Sequence, residues 1–197
     1  MNTARDLLLI SLDREHGVPA DQGALSLALA GAELIDLMNM EALAVQGERI
    51  VPGLAAAHGD DMLSQAVSLL VRAEPYELVD DWLWRRGSGL AAEYVSVLQG
   101  EGLLARKPHR LMPSPPQTAE SEARRVAAAR WKEGEPVLLA LAAALRRGEE
   151  PAVDVSGLSD PVVAVLAAVG GAELELEAER QRRSVEDAAF DNIWRGA

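Results

Sequence analysis

The segment from Gly23 to Met40 sets the tightest limit on what this chain can fold into. Leu25, Leu27, Leu29, Leu34, Ile35, Leu37 and Met38 project to more than one side of a 3.6-residue helix, and mostly Ser, Ala and Gly fill the positions between them. The only wet face such a helix offers is at Glu33 and Asp36, so it belongs at the centre of a bundle with other helices packed round it. It is too short for a bilayer. The longest charge-free runs, Gln22 to Ala32 and Pro161 to Ala172, fall well below the roughly 20 apolar residues that a spanning helix needs. With 197 residues, 49% of them hydrophobic, the chain can bury a core without disulfide or metal staples, and it has no cysteine.

Periodicity elsewhere is also mostly helical. "TARD" at Thr3 to Asp6 reads as a capping box opening a helix to Leu12. Two alternating segments around Gln46-Gly47-Glu48 have the composition of a hairpin. Amphipathic helices are expected over Asp60–Arg72, Pro75–Arg86 and Ser88–Gly100. A second hairpin is expected in "LLARKPHRLM", Leu103 to Met112, turning at Lys107 and Pro108. Further helices follow: one after the prolines near 115, one over Pro136–Arg147, then Pro161–Val169, Glu173–Arg183 and Ser184–Trp194. The expected fold is mainly α, a compact helical domain over 1–197 with a central hydrophobic helix bundle wrapped by amphipathic helices, plus one or two short β-hairpins.

Charge narrows the function classes. The net charge of −12 opposes non-specific attraction to nucleic acid or anionic lipid. Locally the balance reverses: Leu104 to Lys132 holds seven basic side chains against Glu120 and Glu122. Signatures of catalysis are missing. His16, His58 and His109 have no metal-ligand spacing, "HGDD" at His58 to Asp61 reads better as a helix start than as a metal site, and no glycine-rich phosphate loop is present. Asp80 and Asp81 diverge by about 100° on a helix and read as a solvated face. No metal, no cofactor and no enzymatic activity are therefore expected. Two clusters could meet an anion: Trp84 with Arg85 and Arg86 beside Trp82, and the second hairpin's tip with Arg106, Lys107, His109 and Arg110. In both, a structural use of the same residues competes.

The order of elements resembles the Golgi phosphoprotein 3 (GPP34) family, its bacterial members included. The likeness lies in "LLLISLDREHG", then "LALAGAELIDL", a glycine-centred hairpin, "LQGEGLLARKPHRLMP" and a late "DPVVAVLAAV". The resemblance implies a peripheral membrane adaptor that recognises phosphatidylinositol 4-phosphate and holds the cytoplasmic tails of membrane enzymes. It also implies a lipid pocket with a Trp and an Arg around the first long helix and two arginines three apart before the second hairpin. Aligned on "GAELIDL" and "EGLL", those positions hold Asp21, Ala30, Ser88 and Ala91. None of the four contacts is retained, so an altered specificity is expected, for an anionic lipid headgroup or for a protein partner such as a cytoplasmic segment of a membrane protein. Arg85, Arg86 and the hairpin tip are the candidate substitutes.

Arg outnumbers Lys 17 to 2 and Ala is abundant, as in GC-rich bacterial coding. A cytoplasmic location is expected, with attachment to the inner membrane surface left open. Two other readings compete. Ser88–Gly100 followed by a hairpin looks like the recognition helix and wing of a winged-helix nucleic-acid binder, but the charges between Gly89 and Gly102, Glu93 and Glu101, are acidic where phosphate and base contacts call for Arg, Lys, Asn or Gln. A small-molecule enzyme would need a pocket with convergent titratable groups.

Overall fold

A computed structural model describes residues 2–13, 21–54, 59–105, 117–118, 121–146 and 153–195. The central helix is α2, Gln22–Asn39, and all thirteen residues from Leu25 to Leu37 are buried. That run includes Glu33 and Asp36, which are 0% and 2% exposed. The expected wet face does not exist; both carboxylates have partners inside the protein.

Helix α1, Thr3–Leu12, packs between α2, α6 and α7, with Leu7, Leu8, Leu9 and Ile10 all buried. Its cap is Asn2, not Thr3: the Asn2 side chain accepts from the Arg5 amide at 2.8 Å, while Thr3 is buried. Thr3 has left the cap because the helix start is set down on α2, where Asp36 Oδ2 accepts from the Ala4 amide at 3.2 Å. A carboxylate at a helix N-terminus is favoured by the unpaired amides and by the helix dipole.

The hairpin pairs β1, Leu43–Gln46, with β2, Arg49–Pro52, in the register Val45 to Ile50 and Gln46 to Arg49. Helix α3 is Asp61–Ser68, capped by Asp60, whose side chain accepts from the Leu63 amide. Helix α4, Val79–Arg86, begins four residues later than the proline at 75 predicts. The hairpin is the reason: the Ile50 amide donates to Glu77 O, the Val79 amide donates to Glu48 O, and Leu78 bridges to Arg49. Backbone groups bound to a strand edge cannot also enter a helix.

Helix α5 is Leu90–Gly100, entered through Gly89 at φ 77, a left-handed conformation that suits glycine. The second ladder joins β3, Leu104–Ala105, to β4, Gln117–Thr118. Leu104 lies opposite Thr118. The tight turn expected at Lys107 and Pro108 falls in residues 106–116, which lie outside the described residues. Helices α6, Glu122–Glu133, and α7, Pro136–Leu145, are capped by Ser121 and Glu135.

Helix α8 runs unbroken from Asp160 to Arg195, 36 residues where three helices were expected. Gly170 and Gly171 cost it about 1 kcal/mol each relative to Ala. The packing of Val165, Val169 and Ala172 against the body offsets that cost. Around α2 the structure thus places α1, α3, α4, α5, α7 and α8, which is the mainly α bundle that the composition of α2 demands. Among the described residues no helix is long and apolar enough to cross a membrane.

Two measurements test this packing. A Cβ on Gly31 would come within 2.3 Å of Val169 Cγ2, so Gly31→Ala should lower urea stability by about 1–3 kcal/mol through overpacking. Burial lifts the Asp36 carboxyl to about 6, with the Thr3 and Ala4 hydrogen bonds working against the rise. A carboxyl raised by folding contributes full stability below its unfolded value and loses it as pH climbs through the folded one. Asp36→Asn should therefore match the wild type near pH 4 and exceed it by about 1–3 kcal/mol near pH 8.

Candidate functional site

Helix α4 buries Val79, Trp82, Leu83 and Arg86, a stripe at i, i+3, i+4 and i+7. Arg86 occupies the last position of that stripe and so turns inward, while Trp84 and Arg85 fall outside it. The cluster read as one edge in the sequence is split by helix geometry.

Arg86 is 6% exposed and grips Glu33 with a two-pronged fork, Nε to Oε2 at 2.8 Å and Nη2 to Oε1 at 2.9 Å. Tyr94 of α5 donates its hydroxyl to Glu33 Oε1 at 3.0 Å, and Glu93 approaches Arg86 Nη1 from the rim at 3.3 Å. Desolvation pushes the Glu33 carboxyl up while Arg86 pulls against it. Desolvation likewise disfavours the Arg86 guanidinium, but its hydrogen bonds and charge contacts with Glu33 outweigh it and the net effect is upward. Burial beside the same carboxylate holds the Tyr94 hydroxyl well above its ordinary value. The triad is a buried ion pair joining α2, α4 and α5.

Arg85 donates from Nε and Nη2 to the two oxygens of Glu77, both at 2.7 Å, and from Nη2 to Leu69 O at 3.2 Å. It also lies over the Trp82 ring, 5.1 Å from the centroid. The Glu77 hydrogen bonds raise its pKa further. Trp82 itself is fully buried and donates Nε1 to Ala30 O at 3.3 Å. Asp80 and Asp81 stand exposed at the start of α4. Arg106, Lys107 and Arg110, like His16, His58 and His109, lie outside the described residues. Among the described residues no group of three or more His, Cys, Asp or Glu side chains could hold a metal ion.

Trp84 is the candidate residue that faces a cavity. A space of about 350 Å³ opens between the first turn of α2, the corner joining α4 to α5, and α8. Gln22, Gly23, Ser26, Trp84, Ser88 and Leu176 are among its lining residues, and among the described residues no charged side chain lines it. Its floor is pinned by Ser26, whose hydroxyl donates to Gln22 O at 2.8 Å and accepts from the Ala91 amide at 3.0 Å. Gln22 and Ser26 escape a reading of sequence alone because the cavity joins three distant segments; the one signal available is that they are the polar positions in the first turns of an apolar helix.

The four aligned positions divide round this space. Ser88 lines it. Ala91 is buried beneath it, and Ala30 faces the core with its carbonyl on Trp82. Asp21 caps α2 at its edge and pairs with Arg180 of α8. Although burial works upward, the hydrogen bonds from Arg180 and from the Ala24 and Gly23 amides hold the Asp21 carboxyl below its usual value.

The Golgi phosphoprotein 3 (GPP34) family model matches residues 4–195. The chain belongs to that family. Comparison with the curated proteins gives no match. For this GPP34 chain, the match covers nearly every element described above, from α1 to the end of α8.

The buried triad makes a direct test of where Arg86 belongs. Glu33→Gln leaves the buried guanidinium with Glu93 at the rim as its remaining carboxylate partner and should lower urea stability by about 2–4 kcal/mol. Replacing both partners, Glu33→Met with Arg86→Leu, should recover most of that loss.

Proposed function

We propose that this GPP34-family protein is a non-enzymatic peripheral adaptor that reads a lipid headgroup in the cavity between α2, the α4–α5 corner and α8. We further propose that its specificity differs from the phosphatidylinositol 4-phosphate implied by the resemblance. The observation that carries this reading is the lining itself: Gln22, Ser26 and Ser88 set neutral hydrogen-bonding groups into a mainly apolar wall beside Trp84 and Leu176, with no charged side chain among the described lining residues. A phosphomonoester with a charge near −2 needs two or more cations to offset its desolvation. A headgroup with hydroxyls and at most one negative charge can be satisfied by neutral hydrogen-bonding side chains and one cation. Trp84, 38% exposed at the rim, has the apolar body and polar edge suited to the interfacial layer of a bilayer.

The overall charge of −12 repels an anionic surface at long range. Attachment then depends on contacts at the headgroup and not on diffuse attraction. Vesicle flotation tests this with phosphatidylcholine alone and with equal charge supplied by phosphatidylglycerol or phosphatidylinositol 4-phosphate. The protein should float with the singly charged headgroup and gain nothing from the phosphoinositide. Trp84→Ala should reduce the floated fraction several-fold. Flotation with none of the vesicles, or selectively with the phosphoinositide, refutes the reading.

A further inference from the structure

The outer side of α8 carries a stripe that nothing among the described residues covers. At about 100° per residue, Gly171, Leu174, Ala178, Gln181 and Val185 fall within about 80° of one another and stand opposite the buried Val165, Val169 and Ala172. All five are exposed. Leu174 is 75% and Val185 70% exposed, more than any other large apolar side chain among the described residues except Leu54.

Charged residues crowd the rest of this segment: Glu173, Glu175, Glu177 and Glu179, then Arg180, Arg182 and Arg183. The stripe itself holds none. Its spacing of three, four, three and four residues is that of a coiled-coil seam. From Leu174 to Val185 the spacing reads the same in both directions, and its midpoint lies between Glu179 and Arg180, where the charge changes sign. A second α8 laid antiparallel about that point sets Leu174 against Val185 and Ala178 against Gln181, in both halves of the pair. It also brings Glu175, on the flank of the stripe, beside Arg182 of the second copy. A parallel pair would set glutamates beside glutamates and arginines beside arginines, which repel.

We propose that two copies of this protein associate through α8, antiparallel over Gly171 to Val185, with Leu174 of each packed on Val185 of the other. Such a dimer does not depend on the lipid-reading function proposed above. Arg182 pairs with Glu179 of its own helix and its side chain is 66% exposed, so donors of its guanidinium are left for a second carboxylate. Gly171 and Ala178 put little between the two backbones. Self-pairing also supplies what the end of α8 lacks in a single chain: from Gln181 to Glu186 every side chain is exposed, and an uncovered helical segment of that length is marginal in water. The contact is small, which places the dimer among weak associations with a Kd of about 10–100 μM.

Sedimentation equilibrium reads the association at about 0.15 M salt, where screening shortens the reach of the net charge of −12. The mass of the wild type should climb from monomer towards dimer between about 1 and 500 μM. Leu174→Glu should abolish the climb. Glu175→Arg and Arg182→Glu should each weaken the dimer about tenfold or more, because twofold symmetry installs every like-charge contact twice. An equimolar mixture of those two variants recovers both opposite-charge pairs and should dimerise as the wild type does. Thermal unfolding followed by circular dichroism verifies that each variant is folded.

The chain has no cysteine, so cross-linking reads the orientation directly. With oxidised glutathione, Leu174→Cys combined with Val185→Cys should give a disulfide-linked dimer. Leu174→Cys alone should give none, since antiparallel pairing holds the two copies of position 174 about 16 Å apart along the helix axis. A wild type that stays monomeric up to about 500 μM overturns the proposal. A dimer that survives Leu174→Glu overturns it too, as does a mixture of the two charge variants no more dimeric than either alone.

Discussion

The fork of Arg86 on Glu33 holds the described fold at its most demanding point. Helix α2 is sheathed on every side, so any polar group along it must find its partner within the protein. Glu33 does so through a guanidinium from α4 and a hydroxyl from α5. Apolar contact is non-directional and would let α4 and α5 slide on α2; a two-pronged ion pair permits one rotation and one depth. The corner at Gly87 to Gly89 is set by that registration. The corner in turn places Trp84 and Ser88 opposite Gln22 and Ser26, so the cavity inherits its shape from an interaction it does not touch.

The start of α3 and the central helix were legible in the amino-acid sequence because their causes are local. Asp60 sits before an apolar-periodic run, and a stretch made of Leu, Ala, Ser and Gly has nowhere to go but the middle. The mainly α class follows from the same observation. The departures all have causes distant in sequence. Nothing near Glu33 announces an arginine 53 positions away, so a lone carboxylate reads as a wet face. The residues before Val79 read as helix until the hairpin claims the Glu77 carbonyl and the Val79 amide, and Gly170-Gly171 reads as a break until the contacts of Val165 and Val169 outweigh its propensity.

The candidate site shows the same division. Trp84 was identifiable as a residue with a polar edge to present, and it does face the cavity. Arg86 was misplaced by counting charge without angle, since the stripe of Val79, Trp82 and Leu83 already determines where the next inward position falls. Asp21 and Arg180 lie 159 residues apart, and no periodicity connects them. What the family resemblance contributed was a place to look, at the ends of α2 and α5; the chemistry found there is this chain's own.

Helix α8 carries a gradient of local stability along its length. Near Val165 and Val169 it is locked against α2, and opening its backbone there would require much of the bundle to open too. From Gln181 to Glu186 every side chain is exposed, and the turns are held by little beyond their own hydrogen bonds and the ion pairs of Glu179 with Arg182 and Arg183. Amide protons along this one helix therefore pass from exchange by global unfolding to exchange by fraying. Arg180, paired with Asp21 at the start of α2, falls at the crossover.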